Sequence, residues 1–438
     1  PPPGRERERA TEAFLLAVWT VASPGSERIR TRLLGAALTC AAILTSPLAA
    51  VAQPAPDEDA TSPADPPDGE ELPVHPTDAL VETPEADPAA EEDEAEDEEE
   101  EGPWVRADAP ARVPRGVAFT DEPISATDRP HVELRSDDLA LRVGVLLTVL
   151  ADYAFSPPEN EGDGVRISDA RLALVGEAGE AWRFTLQADF AEDLPLVDAR
   201  VTYRPWSALN VHVGRFKVPI SGELLTSAAD TDLIERARVV RALAPGRSAG
   251  VELSGELLDR RLFYRAGVFH GAVDLAEDGA PVIATARLGT RLPFDEESWI
   301  VIAANGGWID DALTPISFLD APFDGERVVA GGDVRLIAGP VLIGGELLYT
   351  RLDPEGNTSF DAWGHHLTAG VQLFPFLQLL VRWDGFERTD TGERADLVIP
   401  GATFVVPDFA PLRLRFNVAI PTREPEQTRV LGAAQLAF

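Results

Sequence analysis

Methionine is absent from the 438 residues, and cysteine and lysine occur once each. The single cysteine, Cys40, lies in a segment read below as a removable leader, so the rest of the chain has neither a disulfide nor a thiolate metal site. Although 45% of the residues are hydrophobic, no run of about 18 uncharged apolar residues occurs past residue 60, which excludes a helical membrane protein. Any membrane span is then built of strands. Basic residues are scarce, with 38 Lys+Arg against 74 Asp+Glu for a net charge of -36. A phosphate-binding surface needs a basic stripe, so no nucleic acid is expected as a partner. Histidine is also rare, and past residue 131 only His212, His270, His365 and His366 occur. None sits in a catalytic motif, and His365 and His366, being adjacent, point to opposite faces of a strand and cannot share a metal. An enzyme, a metal site and a cofactor are therefore not expected.

The charge is unevenly spread. Residues 130–438 carry 28 Lys+Arg against 45 Asp+Glu, a difference of -17, so the first 129 residues hold the other -19. Arg28 to Arg32 is basic, and Leu33 to Ala52 is apolar and ends in small residues, the pattern of a secretory signal. Residues 1–27 precede it and are set aside, making 1–52 a leader and signal. A short transmembrane anchor is the alternative, but Pro47 and the short apolar stretch speak against it. From Gln53 to Gly102 there are 21 Asp+Glu and no Lys or Arg. Such a segment buries too little apolar surface to offset chain entropy, so residues 53–129 read as a disordered acidic linker, a solvated spacer or a tether to another envelope component.

From residue 130 to the end the pattern is period-two alternation in segments of about ten residues, broken by Gly, Pro, Asp and Asn. Trp182, Phe184, Leu186, Ala188 and Phe190 oppose Arg183, Thr185, Gln187 and Asp189. Val197, Ala199, Val201 and Tyr203 oppose Asp198, Arg200, Thr202 and Arg204. Leu412, Leu414, Phe416 and Val418 oppose Arg413, Arg415 and Asn417. A soluble secreted β-sandwich binding module would alternate in the same way, with the faces exchanged. Three features favour a barrel: the export signal, aromatics near strand ends (Tyr153, Phe155, Trp206, Trp299 and Trp383), and a final alternating strand ending in Phe438. Sixteen candidate strands follow, near 138–152, 165–177, 180–190, 196–205, 208–216, 247–257, 260–270, 281–293, 297–309, 327–338, 340–352, 362–374, 376–387, 393–406, 410–419 and 427–438. The fold class is thus an all-β transmembrane antiparallel barrel in a lipid bilayer, residues 130–438, of about sixteen strands. A barrel of that size has a water-filled lumen.

One connection, between Phe216 and Arg247, runs for about thirty residues without clean alternation. In it Asp230 or Thr231 is positioned to cap a short helix with Leu233, Ala237 and Val240 on one face, and Arg236, Arg238 and Arg241 pointing elsewhere. A loop folded into the lumen would put those guanidiniums at the narrowest point, where fixed charge filters ions. The alternative is that they pair with Asp232, Glu235 and lumenal carboxylates. The segments Gly214-Arg-Phe-Lys-Val-Pro219, Ile234-Glu-Arg236 and Ala244-Pro-Gly-Arg-Ser-Ala-Gly-Val251 resemble the phosphate-selective porin O and P family, most clearly over residues 205–271. The resemblance implies a sixteen-stranded, usually trimeric outer-membrane barrel with an inward loop, passing small polar or anionic solutes such as phosphate. By motif position it marks Arg215, Lys217, Arg236 and Arg247. The chain departs from the family in lacking a lysine-rich cluster. Alternation puts Arg183, Arg200, Arg204, Arg287, Arg335, Arg382, Arg413 and Arg415 in the lumen beside Asp189, Asp198, Glu252, Asp333, Glu346 and Asp384, which reads as a broad polar pore with a transverse field.

Overall fold

The computed structural model describes residues 104–107, 131–136, 139–155, 164–192, 196–270, 282–295, 298–406 and 412–438. The leader and the acidic run of residues 53–102 lie outside them. Two short strands, β1 (Trp104–Ala107) and β2 (His131–Arg135), precede sixteen longer ones. These are β3 (Leu139–Ala154), β4 (Gly164–Ala178), β5 (Trp182–Asp189), β6 (Leu196–Trp206), β7 (Leu209–Lys217), β8 (Arg247–Leu257), β9 (Leu262–His270) and β10 (Val282–Pro293). They continue with β11 (Trp299–Thr314), β12 (Phe323–Ala338), β13 (Val341–Pro354), β14 (Phe360–Phe374), β15 (Leu377–Arg388), β16 (Arg394–Val405), β17 (Leu412–Pro421) and β18 (Arg429–Ala437). Each of the sixteen segments read from alternation corresponds to one of these strands, with ends shifted by a few residues.

Each strand from β3 onward pairs antiparallel with the next, and β18 pairs back onto β3 with Leu436 opposite Leu147. This closes a sixteen-stranded barrel, which leaves no open edge for lipid to satisfy. Phe438 sits on the seam, exchanging backbone hydrogen bonds with Val145 at 3.0 and 3.2 Å. Below the seam β3 runs on past the end of β18, and there β2 pairs with it while β1 pairs with β2. Residues 104–107, read as part of the linker, therefore form a strand.

Burial settles which face is inside. Phe184, Leu186, Val201 and Leu414 are 36%, 45%, 47% and 46% exposed, whereas Thr185, Gln187, Thr202 and Asn417 are at most 4% exposed. The apolar face is outside and the polar face inside, the reverse of a soluble sandwich. Two expectations need correction. Val197 is buried because a bulge shifts the register so that Leu196 takes the outward place opposite Ala188. Trp299 is not part of an outer aromatic girdle; it shares the parity of the buried Val301 and packs on the internal Ile337, Leu342 and Leu380 cluster.

The connections at the end of the barrel nearest the β18 C-terminus are mostly tight, such as 207–208, 339–340 and 375–376, and those at the other end are mostly longer. Short turns mark the periplasmic rim and long loops the outside. The longest described loop, residues 218–246, joins β7 to β8 at the outer end.

Candidate constriction

The loop folds inward and is buried along most of its length, with Val218, Ile220, Leu233, Ala237, Val239 and Leu243 each at most 1% exposed. Its base is closed by the Val218 amide donating to Gly246 at 2.9 Å. It carries two short helices, α1 (Gly222–Leu225) and α2 (Arg238–Leu243). Ser221 caps α1 by accepting from the Leu224 amide at 3.0 Å. The helix expected after Asp230 starts later. Asp230 ends a 3₁₀ turn, Ala228–Asp230, that Ser227 caps, and the Thr231 hydroxyl donates to the Ala228 carbonyl at 3.3 Å, so neither caps it. Leu233, Ala237 and Val240 are nevertheless all buried, so the shared apolar face is real although the single helix is not.

Hydrophobic contact and arginine together fix the loop. Ile220, Leu224, Val239, Val240 and Leu243 cluster with Phe216, Phe269, Ile283, Ile309, Val329, Leu348 and Phe386, an apolar patch on the inner wall. The patch is visible in the sequence where alternation lapses, as at Leu347-Leu348-Tyr349. Glycine makes the seat: a Cβ on Gly364 would lie 2.9 Å from Val239, and one on Gly401 would lie 2.8 Å from Leu233. Arg382 donates to Glu223 at 2.5 Å, Arg413 to the Ala229 carbonyl at 2.8 Å, and Arg415 to the Thr231 carbonyl. Asn417 accepts from the Ile234 amide and Asp384 from the Arg238 amide, both at 2.8 Å. Burial pushes the Glu223 carboxyl up, but Arg382, His366, the Ala237 amide and Arg236 together outweigh burial and leave it below its ordinary value. Asp232 is lowered in the same way, burial being overcome by Arg335.

The residues marked beforehand divide into two groups. Lys217 is 3% exposed and donates to the Leu225 and Thr226 carbonyls at 3.2 and 2.8 Å, and Arg236 donates to the Glu223 and Thr226 carbonyls at 3.2 and 2.8 Å. Lys217, at the end of β7, clips the loop to the wall, and Arg236 clips the loop to itself. Arg238 is half-buried at the start of α2, and the Arg241 side chain, 48% exposed, stands 3.6 Å from Glu235. Arg247 pairs with Asp198 at 3.0 Å, and Arg215 lies in the field of both. Arg183 and Arg204 flank Glu177, with Arg204 3.2 Å from it, and the Arg200 guanidinium lies over the Phe216 ring, 5.6 Å from its centroid. Of the carboxylates expected to pair with the loop arginines, Glu235 does so with Arg241 and also meets Arg429 of β18 at 3.4 Å. Asp232 pairs across the barrel with Arg335 instead. Alternation had placed the wall arginines in the lumen, but nothing in it showed that their hydrogen bonds go to the loop.

Residues 143–287 match the family model of phosphate-selective porin O and P. No curated protein matches the chain. Among solved structures it is similar to the anion-selective porin from Comamonas acidovorans, with a TM-score of 0.54 at 13% identity over 69% of this chain and 100% of that one. It is also similar to OmpT, an outer membrane protein of Vibrio cholerae, with a TM-score of 0.52 at 13% identity over 70% of this chain and 99% of that one. At such identity these structures show the fold, and the family match adds what the fold carries. The chain is an outer-membrane porin that bears, over residues 143–287, the pattern of the phosphate-selective porin O and P family.

Proposed function

We propose that this porin prefers small anions, phosphate among them, and that Arg238 and Arg241 on the inward loop, with Arg247 and Arg215 at the end of the wall beside it, set the preference. One observation carries the reading. The loop carboxylates Glu223 and Asp232 keep only 10% and 12% side-chain exposure against Arg382 and Arg335, while the Arg241 side chain keeps 48% against 27% for Glu235 beside it. The charge offered to permeating ions at the loop is then mainly positive, although the chain as a whole is strongly acidic. The similar porin from Comamonas acidovorans is described as anion-selective, and the family resemblance supports a homotrimer. Lys217 and Arg236 act here by holding the loop in shape.

Replacing Arg238 and Arg241 together with Gln removes fixed charge while keeping long polar side chains and leaving the Arg236 contacts in place. In a bilayer with a salt gradient, the reversal potential of the double variant should move toward cation preference while the barrel still assembles. An unchanged reversal potential would leave these arginines as structural partners only. Mass measurement of the detergent-solubilised protein tests the trimer.

A further inference from the structure

Beneath the loop, four inward side chains form one transverse row on adjacent strands: Asp333 on β12 opposite Glu346 on β13, Glu346 opposite His366 on β14, and His366 opposite Asp384 on β15. Such direct cross-strand neighbours lie close enough to interact. Glu223 reaches the same place from the loop, with its Oε2 3.7 Å from His366 Nε2, and Glu346 Oε2 is 3.9 Å away on the other side. The imidazole is 8% exposed, and neither ring nitrogen makes a hydrogen bond. A small cavity lined by Glu223, Asp333, Arg335, Glu346 and His366 among others lies beside the ring.

The cations around this row are unevenly assigned. Arg382 hydrogen-bonds Glu223, Arg287 hydrogen-bonds Asp333, and Arg335 hydrogen-bonds Asp232. Glu346 and Asp384 use one oxygen each to hold the loop. Glu346 accepts from the Ser221 hydroxyl at 2.9 Å and the Glu223 amide at 3.2 Å, and Asp384 accepts from the Arg238 amide at 2.8 Å. Their other oxygens, Glu346 Oε1 and Asp384 Oδ1, have no hydrogen-bond partner. His366 is thus the titratable cation placed between the loop carboxylate and the two wall carboxylates that grip the loop.

We propose that His366 is a proton-operated catch for the constriction loop. Protonated, it joins Glu223 of the loop to Glu346 and Asp384 of the wall by charge, and the loop is held down. Neutral, it leaves Glu223, Glu346 and Asp384 without the charge that joins them, with Arg382 bonded to Glu223 and Arg287 to Asp333, and the grip on the loop weakens. The sign follows: the loop is held more tightly when His366 is protonated than when it is neutral, so the catch releases as pH rises. This depends on the loop lying in the lumen and does not depend on the ion preference proposed above.

The test uses the full-length protein reconstituted in planar bilayers with symmetric salt, from pH 5 to pH 9. The ratio of loop-released to loop-held conductance events should rise with pH across the histidine range. One linked proton limits that rise to about tenfold per pH unit. His366→Gln should be fixed in the released behaviour and His366→Lys in the held behaviour, both without pH dependence in that range. Hydrogen exchange of residues 221–238 in the unmodified protein, corrected for the intrinsic pH effect, provides a second readout that needs no variant. Its protection should fall over the same pH interval. Wild-type pH dependence retained in both variants, or loop protection that stays constant from pH 5 to pH 9, overturns the proposal.

Discussion

At the scale of single residues, the buried pairs that tie loop to wall are the sensitive points. Arg335 is buried with both terminal nitrogens on Asp232. Asp232→Asn strands that guanidinium in a low-dielectric site and should destabilise the folded barrel by about 3–5 kcal/mol, read as a lower urea midpoint in detergent. Replacing both partners with apolar residues, Asp232→Leu with Arg335→Met, should be far milder, because no charge is left unmatched. Equal losses in the single and double variants would show that the pair is not what matters there. On the outer surface, Val201→Arg or Leu414→Arg should cost about 2–4 kcal/mol at mid-membrane depth. A midpoint unchanged from the parent protein would reverse the assignment of faces. Asn417 is a poor lumenal control for that comparison, since it accepts from the Ile234 amide.

At the scale of elements, the loop behaves as an internal lid seated on glycine. Gly364→Val places a branched side chain where Val239 already sits, and overpacking of this kind costs about 1–3 kcal/mol. Displacement of α2 should then change single-channel conductance, whereas Gly432→Val, at a position with open space around it, should not. Acid should loosen the same seat. Glu223 and Asp232 are held below the ordinary carboxylate value in the fold, so their contribution is present above the unfolded value and is lost as pH falls through the lowered one. The loop's protection from hydrogen exchange should therefore survive mild acidification and fall only below the usual carboxylate range. Loss of protection already between pH 6 and pH 5 would contradict these shifts. Neither the seat nor the latches were legible beforehand: a helix in the loop was expected to begin at Asp230 or Thr231, but Asp230 closes a 3₁₀ turn and Thr231 is tied back to the Ala228 carbonyl, and the helix begins at Arg238.

At the scale of the molecule, closure rests on β18 meeting β3, with Phe438 on the seam. Removing residues 430–438 leaves β3 and β17 as open edges, which lipid cannot satisfy, so the truncated chain should fail to become heat-resistant in membranes. A resistant truncated form would show that closure does not depend on β18. The sequence by itself determined the strand number, the two faces of nearly every strand and the position of the long loop, because alternation is a property of neighbours two residues apart on one strand. It misplaced Val197 and Trp299, where a bulge and the parity of a strand start decide the face. The tertiary structure alone decided where the charges are used. Arg335 meets Asp232 across 103 residues and Arg415 meets Thr231 across 184, separations that only closure of the barrel and the path of the loop bring within hydrogen-bond distance.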